Sequence, residues 1–354
     1  MSTPQIKSKP RWRRRIVRTG LICLGLAVLF FAFTFVYARL SDARALADVP
    51  KDSLLVDVGG RKIHLHALGL EHDGPTVVLL PGFGGHSAAW AAVQPELAKT
   101  MRVYAYDPAG FAWSDPSPQP LTPSRMADDL HAALTKLGED KIILVAFSGG
   151  ALTAYNYYHR YPDPPVAGLV WVEGDAMIPG DLVWYNGEFF LPLPPSLRPP
   201  VVESGLWRVL ADLMLTQEKQ RIPPATQPLV DWDYWQRVMA TSSTRQTAYT
   251  IFAMTAAFPE DVKYTASLPL PARVPVFTLH ADYSPDLAAM TDPQEIEDFR
   301  RLQSQRAEWF KAWAAGAPGG RYIPVANSSH FVVYEQPQTV IQAVQDMVKL
   351  ASAK

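Results

Sequence analysis

The sequence predicts an α/β protein: a mostly parallel sheet with helices on both faces, a helical insertion, and a membrane-spanning helix in front. Three observations carry this. Short β-branched runs alternate with stretches of helical apolar spacing over most of the chain, as strands joined by crossover helices do. One such run, 142–145, leads into Phe147-Ser148-Gly149-Gly150 and then into a helical stretch. Near the N-terminus, residues 20–38 form one continuous apolar run behind a cluster of positive charge.

Residues 1–19 carry Lys7, Lys9, Arg11, Arg13, Arg14, Arg15 and Arg18 and no acid, and read as a basic tail. A helix over residues 20–38 would span roughly 28 Å, close to the ~30 Å apolar core of a bilayer. Charges balance across residues 39–53, read as a linker. The positive-inside rule then places the tail in the cytoplasm and the rest outside it, in the periplasm of a Gram-negative cell. The alternative is secretion after signal-peptide cleavage at Val36-Tyr37-Ala38. The apolar run exceeds the usual h-region, which favours an uncleaved anchor. Cys23, the one cysteine, lies in that run, so no intrachain disulfide forms.

The first part of the core occupies residues 54–175. Strands are expected at 54–58 and 61–67, joined by Gly59-Gly60, and at 76–80, followed by a helix through 97. A strand at 102–106, a helix at 124–137, the strand feeding Ser148 and a strand at 168–173 complete it. Across 176–272 the alternation stops. Trp184, Trp207, Trp232, Trp235 and a proline cluster at 191–200 mark this stretch as an inserted helical cap. The core resumes over 273–354 with a strand at 274–280, a helix at 293–315, a strand at 321–325 and a last helix from 337. With 48% hydrophobic and 19% charged residues the chain has material for a large core. A net charge of −1 gives no sign of a nucleic-acid partner. Neither a metal-ligand cluster nor a dinucleotide fingerprint is present, so no cofactor or metal is expected.

Strand, sharp turn and helix with a hydroxyl at the apex is the context of a nucleophile elbow, which singles out Ser148. A serine hydroxyl is a weak nucleophile and needs a base, usually a histidine oriented by a carboxylate. Of the two histidines after the cap, His280 ends a strand and reads as structural. His330 lies in a polar loop after a strand, where ligand crevices form in such sheets. An oxyanion hole needs two fixed N–H donors, and Gly149 and Phe83 are placed to supply them. For the acid, four carboxylates stand at strand ends: Glu173 and Asp175 before the cap, Asp282 and Asp286 after it. Glu173 ranks just ahead of Asp282.

In order along the chain, five segments resemble the α/β-hydrolase superfamily, and specifically its membrane-anchored bacterial members. They are Val56-Asp-Val-Gly-Gly-Arg-Lys-Ile-His-Leu65, Leu80-Pro-Gly-Phe-Gly-Gly85, Tyr106-Asp-Pro-Ala-Gly-Phe-Ala-Trp-Ser-Asp115, the Ser148 elbow, and Ser329-His-Phe-Val-Val-Tyr-Glu-Gln-Pro337. The resemblance implies an α/β-hydrolase fold with an eight-stranded sheet. It also implies Ser148 as nucleophile, His330 as base, and Phe83 with Gly149 as oxyanion hole. Three positions depart from the family pattern. Ala146 replaces the first glycine of the elbow, and Pro81 replaces a histidine before the oxyanion loop. Ser284 stands where the acid after the penultimate strand is usual. Some relatives carry the acid at the end of the strand before the cap, which keeps Glu173 first.

A serine nucleophile argues against the aspartate-based dehalogenases and epoxide hydrolases of that superfamily. The expected activity is hydrolysis of a carboxylic ester with a hydrophobic, small-molecule or lipid-like substrate. The alternatives are the same triad acting on a carbon–carbon or amide bond, and an inactive binding protein on the same fold.

Overall fold

Residues 142–147, 166–172 and 276–281 are almost entirely buried and apolar, so these strands must lie inside a sheet covered on both faces. The computed structural model describes residues 11–163, 165–174, 193–271 and 273–353. Asp175, Trp184 and the first part of the expected cap lie outside the described residues, as does the start of the basic tail.

Eight strands form one sheet: β1 (Ser53–Asp57), β2 (Lys62–Leu68), β3 (Thr76–Leu80), β4 (Val103–Tyr106), β5 (Ile142–Phe147), β6 (Val166–Val172), β7 (Val276–Ala281) and β8 (Arg321–Val325). Their spatial order is β1-β2-β4-β3-β5-β6-β7-β8. The β1–β2 and β2–β4 pairs are antiparallel and the others parallel. This is the α/β-hydrolase fold that the sequence predicts.

In chain order the helices are α1 (Arg11–Ala47), α2 (Gln94–Leu97), α3 (Pro123–Leu137), α4 (Gly150–Arg160), α5 (Arg198–Glu203), α6 (Leu206–Gln220), α7 (Trp232–Ser242), α8 (Arg245–Ala266), α9 (Ser284–Ala289), α10 (Pro293–Ala315), α11 (Val332–Glu335) and α12 (Pro337–Ser352). On one face, Met126, Leu130 and Leu134 of α3 pack with Leu152 and Tyr155 of α4. On the other, Leu97 of α2 packs with Val340, Val344 and Met347 of α12. The α3 ends follow local rules. Thr122 caps its first turn by accepting the Arg125 amide, and Gly138, at φ +72°, ends it in the left-handed region. Helices α5 to α8 all fall between β6 and β7 in the chain.

Two expectations are corrected. The helix expected from β3 through 97 is instead a 3₁₀ turn (Ser87–Trp90) and the single turn of α2. Pro95 has no N–H to give the Ala91 carbonyl, which accepts the Asp231 amide at 3.1 Å instead. Residues 39–47, expected as linker, are helical and complete α1. Thr34, Ala38 and Ala45 are buried, whereas the apolar residues before Thr34 are exposed. The last turns of α1 therefore belong to the globular part.

Candidate active site

Ser148 sits between β5 and α4 with φ +50°, a conformation costly for a residue with a side chain. Its amide donates to the Val172 carbonyl (3.0 Å) and its carbonyl accepts from Ala151 (3.0 Å), so both sides of the turn are fixed. Gly150 is required here: a Cβ would stand 2.5 Å from the Pro81 carbonyl oxygen. The elbow thus packs directly on the end of β3. The loop after β3 is equally close, since a Cβ on Gly82 would lie 3.2 Å from that of Ser148. Phe83 is half-buried in this loop, and Gly149, in helical conformation, stands just before the first turn of α4. Phe83 and Gly149 are therefore the immediate chain neighbours of Gly82 and Ser148, two residues in close approach.

His330 follows β8 and approaches from the other side. Its Nε2 lies 2.9 Å from Ser148 Oγ. Its Nδ1 lies 3.8 Å from Glu173 Oε2, a polar approach longer than a hydrogen bond. Catalytic hydrogen bonds are often this loose without substrate. Glu173, at the end of β6, is fully buried. Burial pushes its carboxyl upward, but hydrogen bonding from His280, the approach of His330 and the charge of Arg306 outweigh that. Together they hold it well below the usual carboxylate range.

His280, which the sequence reads as structural, and Tyr283, which it does not single out, complete the surroundings of Glu173. Register explains why: Val172 pairs with Leu279, so Glu173 falls beside His280. Glu173 Oε1 accepts from His280 Nδ1 (2.7 Å) and the Ala281 amide (2.5 Å), while Oε2 accepts from the Tyr283 hydroxyl (2.5 Å). The Gln303 carbonyl lies 3.3 Å from the other ring nitrogen of His280. No local sequence signal marks this cluster, because it depends on how β6 and β7 pair.

Asp282 is placed differently. It is exposed and accepts the amides of Ser284 (3.1 Å), Asn327 (3.0 Å) and Ser328 (3.3 Å). Its slight burial works upward, yet these amides pull its carboxyl below the ordinary value. Glu335 holds the same loop through the Ser329 amide and both serine hydroxyls. Asp286 is half-buried on α9, where burial and then Glu335 push its carboxyl up. Among the described residues, neither Asp282 nor Asp286 hydrogen-bonds to His330, and of the three expected acids that are described Glu173 is the one paired with it.

Backbone strain is concentrated at the same place. The non-glycine residues with positive φ among those described are Ala112, Ser148, Glu173, Tyr283 and Asn327. Four of these hold the serine, the buried carboxylate, a donor to it, and the histidine loop. Such conformations cost about 1–3 kcal/mol each and persist only where the surroundings impose them. The loop after β3 is also pinned. Ser87 donates through its amide (2.7 Å) and hydroxyl (2.8 Å) to buried Asp107, and His64 Nδ1 meets the same carboxylate at 2.6 Å. Tyr234 of α7 reaches Ser87 at 2.5 Å, tying the inserted helices to this loop. Among the described residues no cluster of His, Cys, Asp and Glu is arranged to hold a metal ion.

A family model described as "Alpha/beta hydrolase family" matches residues 77–343. The chain belongs to that family. It is similar to a putative carbamate hydrolase, RutD, of Cronobacter turicensis, 31% identical over 101 residues, or 28% of this chain and 38% of RutD. It is also similar to a probable oxidoreductase, EphD, of Mycobacterium tuberculosis, 34% identical over 92 residues, or 25% of this chain and 15% of EphD. These matches span well under half the length of either relative. Among solved structures, a thermophilic esterase from Thermogutta terrifontis superposes with a TM-score of 0.55 at 22% identity, over 84% of this chain and 98% of the esterase. The enol-lactonase of Burkholderia xenovorans gives 0.53 at 17%, over 84% and 99%. At these identities the structural likeness speaks for the fold. The protein is an α/β-hydrolase.

Proposed function

We propose that this hydrolase cleaves carboxylic esters with a hydrophobic acyl or alcohol part through an acyl-enzyme on Ser148, while anchored in a membrane by α1. The observation that carries the reading is the 2.9 Å approach of His330 Nε2 to Ser148 Oγ with buried Glu173 behind the ring. His330 takes the serine proton as Oγ attacks the ester carbonyl carbon. The amides of Phe83 and Gly149 donate to the oxygen that becomes negative. Removing one such donor typically costs about 10²–10³ in rate. Collapse breaks the C–O bond, and the alcohol leaves with the proton from His330. Water then attacks the acyl-serine by the same route, releases the acid and restores the serine. Glu173 orients the imidazole and stabilises its protonated form.

In this reading α5 to α8 form a cap over the serine, within the insertion at 176–272. The apolar run of α1 crosses the bilayer, with residues 1–19 in the cytoplasm and the hydrolase outside it. A fluorophosphonate probe tests the chemistry: it should label Ser148 in the wild type and leave Ser148→Ala unlabelled. A folded wild-type protein that never reacts overturns the proposal.

A further inference from the structure

The way α1 meets the inserted helices fixes how the hydrolase stands relative to the apolar run. Gly205, just before α6, has φ +81°, and a Cβ there would lie 2.1 Å from the Thr34 carbonyl oxygen. Only glycine lets the two backbones touch. Thr34 Oγ1 donates to the Ser204 carbonyl at 2.8 Å. Arg39 pairs with Glu203 at 2.6 Å, and Asp42 meets buried Arg208 at 3.1 Å and the Arg245 amide at 3.0 Å. The Tyr37 hydroxyl reaches the Asp212 carboxylate at 2.8 Å. Thr34, Tyr37 and Ala38 are the last residues of the apolar run itself. The hydrolase is therefore clamped to the end of the span and does not swing on a free linker.

Helix α6 has three sides. Trp207 packs on Phe252 and Leu215 joins the apolar cluster of α7, so one side faces inward. Arg208 and Asp212 face α1. The third side bears Leu210, Leu213 and Met214, 48%, 67% and 64% exposed, at spacing i, i+3, i+4. A helix face meant for water carries polar groups instead. In α10 the exposed stripe is Glu297, Arg301, Ser304, Glu308 and Lys311. Depth decides what covers the α6 stripe. Tyrosine favours the bilayer interface, and Tyr37 is the penultimate residue of the apolar run. Its bond to Asp212 brings the middle of α6 to that level. Leu213 and Met214 follow Asp212 directly and stand within a helical turn of it, about 5 Å along the axis.

We propose that the Leu210/Leu213/Met214 face of α6 is seated in the interfacial layer of the same bilayer that α1 crosses. The occupant is lipid: acyl chain ends and glycerol of the leaflet where α1 emerges. The proposal rests on the reading of α1 as a span. It adds that the cap lies on the membrane, so an ester dissolved in that leaflet meets the cap without crossing water.

Depth-resolved fluorescence of the full-length protein in phospholipid vesicles tests this. In a Cys23→Ser background, Leu213→Cys, Phe30→Cys and Lys311→Cys are each labelled with an environment-sensitive dye. Quenchers are lipids carrying a nitroxide near the headgroup or deep in the chain. Leu213→Cys should emit to the blue of Lys311→Cys and be quenched most by the shallow nitroxide, and Phe30→Cys most by the deep one. If Phe30→Cys is quenched by lipid and Leu213→Cys behaves like Lys311→Cys, the span stands and the seated cap is overturned. A blue-shifted Leu213→Cys that no lipid nitroxide quenches indicates a protein partner, such as a second copy, and also overturns it. An unquenched Phe30→Cys removes the span and the proposal with it.

Discussion

Glu173 and Asp282 are two carboxylates beside one histidine loop, and their surroundings assign them different work. Glu173 is buried and faces the ring of His330, whereas Asp282 is exposed and holds the backbone of residues 327–328. Glu173→Gln should lose about 10⁴ in kcat on an ester substrate, the scale seen when an amide orients the imidazole in the wrong tautomer. Asp282→Asn keeps the acceptor for those amides and should stay near wild type. Equal losses in the two variants would contradict the assignment. The same carboxylate makes stability depend on pH. Its folded value lies below its unfolded one, about 4.3 for glutamate, so its stabilisation is complete above that pH and lost as pH falls below it. Urea unfolding followed down through that range should show a shallower loss of stability in Glu173→Gln than in wild type.

At the level of elements, legibility followed locality. The strand at 76–80 could be read because a fully buried strand declares itself as an unbroken apolar run, and Ser148 because strand, turn and helix are contiguous. His280 reads from the sequence as a structural strand-end residue, since its bond to Glu173, 107 positions away, is made only by the pairing of two strands. The continuation of α1 is hidden in the sequence for a similar reason. Arg39 and Asp42 read as balanced charges of a linker, because their partners Glu203 and Arg208 are more than 160 positions away. The alanine-rich run 43–47, favourable to helix, was the available clue. The α1–α6 contact makes its own prediction at Gly205. Gly205→Ala places a Cβ against the Thr34 carbonyl in a left-handed conformation that alone costs about 1–2 kcal/mol. It should lower Tm by several degrees in calorimetry, whereas Leu213→Ala on the exposed face should leave Tm unchanged.

On the scale of the whole molecule, α1 serves two purposes that divide near Phe33. From Gly20 to Phe33 its side chains are exposed and almost all apolar. From Thr34 onward, it and Asp48 just past its end supply partners to the hydrolase: the Thr34 hydroxyl to Ser204, Asp42 to Arg208 and Arg245, the Ala45 carbonyl to the indole of Trp113 (3.1 Å), and Asp48 to Arg237. A protein truncated to begin at Phe33 keeps these contacts and should stay folded without detergent, with a Tm close to that of the full chain. A protein beginning at Val49 leaves Arg208 with only Asp212 and strips the acceptor from the Trp113 indole. Removing one partner of a buried ion pair costs about 3–5 kcal/mol, and orphaning a buried donor about 1–3 kcal/mol. Asp212 remains beside Arg208, so the ion-pair loss should fall at the low end of its range. The shorter protein should therefore melt well below the longer one and aggregate at concentrations where the longer one is soluble. Equal melting temperatures for the two would mean that α1 is a tether alone, and that the hydrolase does not count its last turns as part of the fold.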